Sequence, residues 1–115
     1  MATRSLIAIP GPDDSYRAVY CHFDGYVEGG VGETLQDYWT DEDEIIDLIN
    51  SGGMSTLGND LAKCEFYKDR GEELEIITAP SFDDLKQIAK EYGGEYLHLY
   101  SPEKKRWHHY TLRGA

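Results

Sequence analysis

The chain has 115 residues and carries 22 acidic against 11 basic side chains, a net charge of −11, with 40 % hydrophobic and 29 % charged residues. This is globular rather than disordered composition, and a chain of this length builds one modest core, so residues 1–115 are read as a single domain. No apolar run approaches the roughly 18 residues of a membrane span, residues 6–9 before Pro10 are too short for a signal peptide, and two cysteines make no disulfide framework, so a cytoplasmic location is expected.

Residues 4–9 read as a first strand, and Gly11-Pro12-Asp13-Asp14-Ser15 has the chemistry of a hairpin turn. Residues 16–23 alternate, with Tyr16, Ala18, Tyr20 and His22 on one face and Arg17, Val19, Cys21 and Phe23 on the other, which makes a second strand antiparallel to the first. Asp24-Gly25 ends it, and Glu28-Gly29-Gly30-Val31-Gly32 follows as an irregular loop. Val31, Leu35 and Tyr38 fall at helical spacing, so a short helix is expected near 32–39. Thr40 reads as the N-cap of a second helix, with Asp43 at the reciprocal capping position and Asp41 to Glu44 in the first turn, where the helix dipole favours anions. Ile45, Ile46 and Ile49 are its buried stripe and Gly52-Gly53 its end.

Residues 63–69 and 74–78 read as strands around an acidic turn. Ser81 caps a third helix that carries Phe82, Leu85, Ile88, Ala89 and Tyr92 on one face and stops at Gly93-Gly94. Residues 95–100 and 107–112 close the chain as a hairpin, in a register that sets Tyr100 opposite Trp107 and His98 opposite His109. One face of that hairpin carries Leu97, Leu99, His108, Tyr110 and Leu112 and is assigned to the core. The other carries Tyr96, His98, Tyr100, Trp107, His109 and Thr111, to be covered by another element or offered to a partner. Strands arriving as hairpins predict an α+β fold: a two-layer antiparallel sheet with two or three helices on one face.

The charge is uneven. Residues 1–60 hold twelve acidic side chains against Arg4 and Arg17, a net of −10, and residues 61–115 are nearly balanced. Such a surface repels phosphate backbones and anionic membranes, which excludes direct nucleic-acid and membrane binding and leaves a basic or neutral partner or a small ligand. Helix capping and turns account for Asp13, Asp14 and Asp41 to Glu44. They do not account for Glu28, Glu33, Asp37 or Asp47, which are therefore candidate partner-binding residues, with Tyr26 and Tyr38 as aromatic anchors.

Few residues point to catalysis. His22 and Asp24 stand two apart on a strand, so Asp24 can orient the imidazole as a general base; this is the alternative, enzymatic reading, a small hydrolase or nucleotide-signal-binding protein. Cys21 points to the opposite face from His22 and is not its nucleophile. No zinc-type spacing of Cys and His is present, His98 and His109 lack a third ligand, and the glycine loop has no phosphate-binding lysine, so no metal or other cofactor is expected and the protein is read as a non-enzyme.

The segments Thr3-Arg4-Ser5-Leu6-Ile7, Tyr20-Cys21-His22-Phe23-Asp24-Gly25-Tyr26 and Val31-Gly32-x-x-Leu35 resemble a group of small bacteriophage and prophage proteins. Tyr67-Lys68-Asp69-Arg70-Gly71-Glu72 and Glu95-Tyr96-Leu97-x-Leu99-Tyr100 are similar to further segments of that group, with Phe23 where Trp is more usual. The resemblance implies a phage or mobile-element origin and no particular activity, substrate or catalytic residue. A small acidic phage protein is expected to act in the host cell as a monomer or dimer. It would inhibit, by protein–protein contact, a host complex with a basic surface, most naturally a nucleic-acid-handling defence system of the CRISPR or restriction type.

Overall fold

The structure, a computed structural model, describes residues 2–112. Strand β1 (Ser5–Pro10) turns through a tight 3-10 turn at Pro12–Asp14 into β2 (Tyr16–Cys21). The two pair antiparallel from Ser5 opposite Cys21 to Pro10 opposite Tyr16. Helices α1 (Val31–Tyr38) and α2 (Glu42–Asn50) follow, then the short strands β3 (Met54–Thr56), β4 (Glu65–Phe66) and β5 (Ile77–Ala79). Helix α3 (Phe82–Glu91) and the hairpin of β6 (Tyr96–Ser101) and β7 (Arg106–Thr111) complete the chain.

All seven strands join one sheet in the order β4-β3-β2-β1-β6-β7, with β5 also on β2. The sheet is mostly antiparallel, but β1 pairs parallel with β6, and β2 meets β3 in parallel at Cys21 and Met54. The outer edge of β2 is divided: its Tyr16–Ala18 half takes β5 and its Cys21 end takes β3.

Mixed α and β content is as expected; the layering is different. Ile7 and Ile9 of β1 pack with Val19, Leu35, Trp39, Ile45 and Ile49 in one cluster, under α1 and α2. Leu6 and Ala8 pack with Ala18, Leu85, Ala89 and Leu97 in another, under α3. Successive residues of a strand point to opposite faces, so the helices cover both faces and the sheet is the middle of three layers. The reason lies in β1 itself, where Leu6, Ile7 and Ala8 have no exposed surface. A central strand without alternation needs an apolar cover on each side.

Three local expectations also change. The N-cap of α2 is Asp41, whose carboxylate accepts from the Glu44 amide at 3.1 Å, rather than Thr40. The expected strand over 63–69 shrinks to β4, because Asp60 caps a 3-10 turn at Leu61–Lys63 and a second turn at Tyr67–Arg70 ends on left-handed Gly71. The strand expected over 74–78 is β5, shorter and later, and Leu74 is exposed. The hairpin register holds residue for residue, with Tyr100 opposite Trp107 and His98 opposite His109. Its Tyr/His/Trp face is covered: His98, Tyr100 and Trp107 are all buried.

Candidate functional site

The segment between β2 and α1 is held by its own backbone. The His22 and Phe23 amides donate to the Met54 and Ser55 carbonyls, extending the ladder, and Asp24 then takes a left-handed conformation (φ 57°) that turns the chain. Gly25 follows where a Cβ would sit 2.8 Å from the Thr3 carbonyl oxygen and 2.9 Å from Ser5 Cβ. At Gly30 a Cβ would collide with the Asp24 carbonyl and lie 2.9 Å from that of Tyr26. The amides of Val31, Gly32 and Glu33 donate to the carbonyls of Asp24, Tyr26 and Val27. The glycines thus permit close backbone packing, and the first amides of α1 are spent on the loop instead of facing an anion.

The His22–Asp24 pair of the alternative reading does not form among the described hydrogen bonds. The His22 Nδ1 lies 2.7 Å from the Tyr20 hydroxyl, and its ring meets Phe23 edge-on at 4.6 Å. Asp24 instead lines a small cleft of about 100 Å³ with Phe23, Gly30, Thr34 and Thr56. The left-handed turn at Asp24 breaks the strand alternation that the pairing assumed. Neither cysteine offers a thiolate: both are buried and free, and burial pushes the Cys21 thiol up to about 12 and the Cys64 thiol in the same direction.

The candidate partner-binding acids are all exposed. Glu33 and Asp37 stand one turn apart on the same side of α1, and the Gly29 amide donates to the Glu33 carboxylate at 3.4 Å, which ties the loop carrying Glu28 to that helix. Asp47 stands apart, on α2. Phe23 is 44 %, Tyr26 43 % and Tyr38 54 % exposed, so apolar rings stand in water along the same loop and helix. Among the described residues the one ion pair is Lys86 with Asp83. The first-half carboxylates therefore keep their field.

Sequence reasoning placed His98 opposite His109 but missed the chain they join. His98 is buried without exposed surface; its Nε2 lies 2.9 Å from the Gly25 carbonyl and its Nδ1 2.8 Å from His109 Nδ1, while His109 Nε2 is 2.6 Å from the Gln36 amide nitrogen. A carbonyl can only accept, so His98 carries its proton on Nε2 and offers the Nδ1 lone pair. His109 then donates from Nδ1 and accepts from Gln36 at Nε2. One directed chain links α1, β7, β6 and the glycine loop with both rings neutral. Burial, and secondarily the neighbouring His109, pulls His98 down to about 4 against the pull of the Gly25 carbonyl, and burial lowers His109 as well. Two nitrogens 2.8 Å apart share a proton and leave no room for a metal between them.

Two cavities were also invisible in the sequence. One, about 260 Å³, is walled by Tyr20, Tyr67 and Tyr92 and rimmed by Glu72, Glu73 and Glu75. Its rings lie close, Tyr20 being 6.5 Å from Tyr67 and 5.8 Å from Tyr92, and Arg70 already sits over the Tyr67 ring at 5.4 Å. The larger, about 480 Å³, opens between α1 and β7 and is lined by Trp39, Tyr100, Trp107 and His109, with Lys105 and Arg106. The only sequence signals were the surplus of tyrosine and the cationic run Lys104-Lys105-Arg106, and neither reveals which rings converge.

Nothing matches. Comparison with family models, curated proteins and solved structures finds no relative of this chain.

Proposed function

We propose that this protein works by contact: its acidic first-half surface docks on a basic host protein and blocks it. The observation that carries the reading is the exposed, cation-free set of Glu28, Glu33, Asp37 and Asp47 beside the water-exposed rings of Tyr26 and Tyr38. Unneutralised carboxylates steer a basic partner and set its association rate, and aromatic rings that bury on contact set its dissociation rate. The tyrosine-walled cavity rimmed by Glu72, Glu73 and Glu75 has the composition that accepts a lysine or arginine side chain from such a partner. With the phage resemblance, the target is a host nucleic-acid-handling defence complex of the CRISPR or restriction type, whose basic channel ordinarily holds nucleic acid. The alternative use of His22 and Asp24 as a catalytic pair has less support, since Tyr20 is the partner of the His22 ring.

The test is DNA cleavage by purified CRISPR effector and restriction complexes with increasing amounts of this protein. We expect stoichiometric inhibition of a susceptible complex that weakens as salt rises. In the variant Glu28→Gln/Glu33→Gln/Asp37→Asn/Asp47→Asn association should slow and lose its salt dependence, while Tyr26→Ala and Tyr38→Ala should speed dissociation. Inhibition far below one protein per complex would instead reveal turnover. Full inhibition by the four-site variant at low salt would reduce the acidity to a solubility feature.

A further inference from the structure

Three of the nine tyrosines converge on one cavity, and unlike the aromatic residues of the core they keep surface to offer. Tyr20, Tyr67 and Tyr92 are half-buried, and with Gly53 they wall a space of about 260 Å³, just below the range of drug-sized ligand sites. Two of the rings are tied in place before anything binds: the Tyr20 hydroxyl lies 2.7 Å from His22 Nδ1, and the Tyr92 hydroxyl donates to the Glu75 carboxylate at 3.0 Å. Burial pushes all three phenols up, so the walls stay neutral. At Gly53 a Cβ would stand 3.3 Å from Tyr67 Cδ2, and its absence lets the third ring lie against the backbone. Glu72, Glu73 and Glu75, all exposed, complete the lining, and no cation belongs to its described residues. Two arginines stand near. Arg70 lies over the Tyr67 ring at 5.4 Å while donating to Ser55 Oγ, and Arg4 acts by its charge on Tyr20 and Tyr67. Three carboxylates still outnumber them.

From this lining we infer that the cavity is a binding site for an alkylammonium head, supplied by a lysine side chain of the basic partner. The ring faces attract the charge, and the rim carboxylates are acceptors for its three N–H donors. The rings are tilted against one another, Tyr20 by 18° to Tyr67 and by 38° to Tyr92, which surrounds a compact head better than a flat one. A guanidinium asks instead for one flat face and a two-oxygen fork, and Glu75 already accepts from Tyr92. The inference rests on the protein-contact reading for the source of the lysine. The site itself is tested on the isolated protein, so either can fail without the other.

The probe is Nα-acetyl-lysine methylamide, followed through the amide shifts of Gly53 and residues 72–75 in two-dimensional NMR at constant ionic strength. We expect saturable shifts at these positions, with the uncharged ε-acetylated form at least about tenfold weaker and the arginine analogue about threefold weaker. Glu72→Gln/Glu73→Gln changes two exposed side chains, so its melting temperature should be unaltered while affinity falls about tenfold. Tyr67→Leu should lower affinity about fivefold, and Tyr67→Phe, which keeps the ring, should bind within about twofold of the parent. The variant Glu28→Gln/Glu33→Gln/Asp37→Asn/Asp47→Asn, outside the cavity, should bind as the parent does. No saturable shift, equal binding of the acetylated form, or unaltered affinity in the Glu72/Glu73 variant would each overturn the site. An equal loss in the four-site variant would overturn it in favour of bulk charge. Tighter binding of the arginine analogue, or of the free diamine cadaverine by more than about tenfold, would overturn the assignment to lysine. Probe binding without inhibition of any nucleic-acid-handling complex would leave the site standing and sink the contact reading alone.

Discussion

His98 shows how one buried residue makes stability depend on pH. Its proton pattern requires a neutral ring, because a second proton on Nδ1 would face the N–H of His109 and break the chain that holds Gly25 and Gln36. In the unfolded chain the imidazole titrates near its ordinary 6.5; in the fold it is held to about 4. The unfolded state therefore binds more protons in that window, so the stability contributed by His98 is complete above about pH 6.5 and is lost as pH falls toward about 4. The loss is on the order of 3 kcal/mol. His109 is lowered too and acts in the same direction. Denaturant midpoints measured from neutrality to about pH 5 should fall steeply for the parent and much less for His98→Phe, which has no such proton to take up. Parallel pH profiles would show that the histidine chain is not what titrates.

At the scale of elements, small differences in capping decide where helices start. Thr40 is the cap that the sequence pattern suggests for α2, but the chain uses its neighbour Asp41, whose carboxylate is the stronger acceptor and carries the charge that the helix N-terminus favours. Asp41→Ala should destabilise by about 1 kcal/mol, and Thr40→Ala by less than about 0.5 kcal/mol. A larger effect at Thr40 in urea unfolding would contradict that assignment. Ser81 had no rival upstream, with Pro80 before it, and its hydroxyl accepts from the Asp84 amide as expected. The β6–β7 hairpin was equally legible, since one turn length fixes every cross-strand pair. Strand β3 was not, and β4 was legible only as part of a longer strand over 63–69. At three residues long, β3 pairs on the edge of β2 that β5 leaves open, and β4 pairs on β3; local pattern contains no trace of that division.

For the whole molecule the governing quantity is the ratio of charge to pairing. With a net charge of −11 and Lys86–Asp83 as the ion pair among the described residues, the folded chain holds like charges together with little to offset them. Added sodium chloride should therefore raise the melting temperature up to about 0.1–0.2 M, where the screening length falls to about 8–10 Å. The four-site neutralised variant should melt higher than the parent at low salt and converge with it at high salt. A melting temperature that falls with salt would mean that favourable pairs dominate instead. No described helix is long and apolar enough to cross a membrane.

By itself the sequence determined what depends on neighbours along the chain: the β1–β2 turn, the three helices (in α2 with Leu48 buried where Ile46 was expected), the C-terminal register, and the acidic balance of residues 1–60. It also held a sign of the layering that was read too simply. Leu6 to Ile9 run apolar without alternation, which already asks for cover on both faces. Tertiary structure alone decided the rest, because it depends on residues far apart in the chain. It carried α3 to the opposite face from α1 and α2, and joined Gln36 to His109 and His98 to Gly25, each pair 73 residues apart. It also brought Trp107 against Trp39, to whose carbonyl its indole N–H donates. Local propensity acts over a few residues, whereas these contacts form only when the sheet order closes β1 against β6.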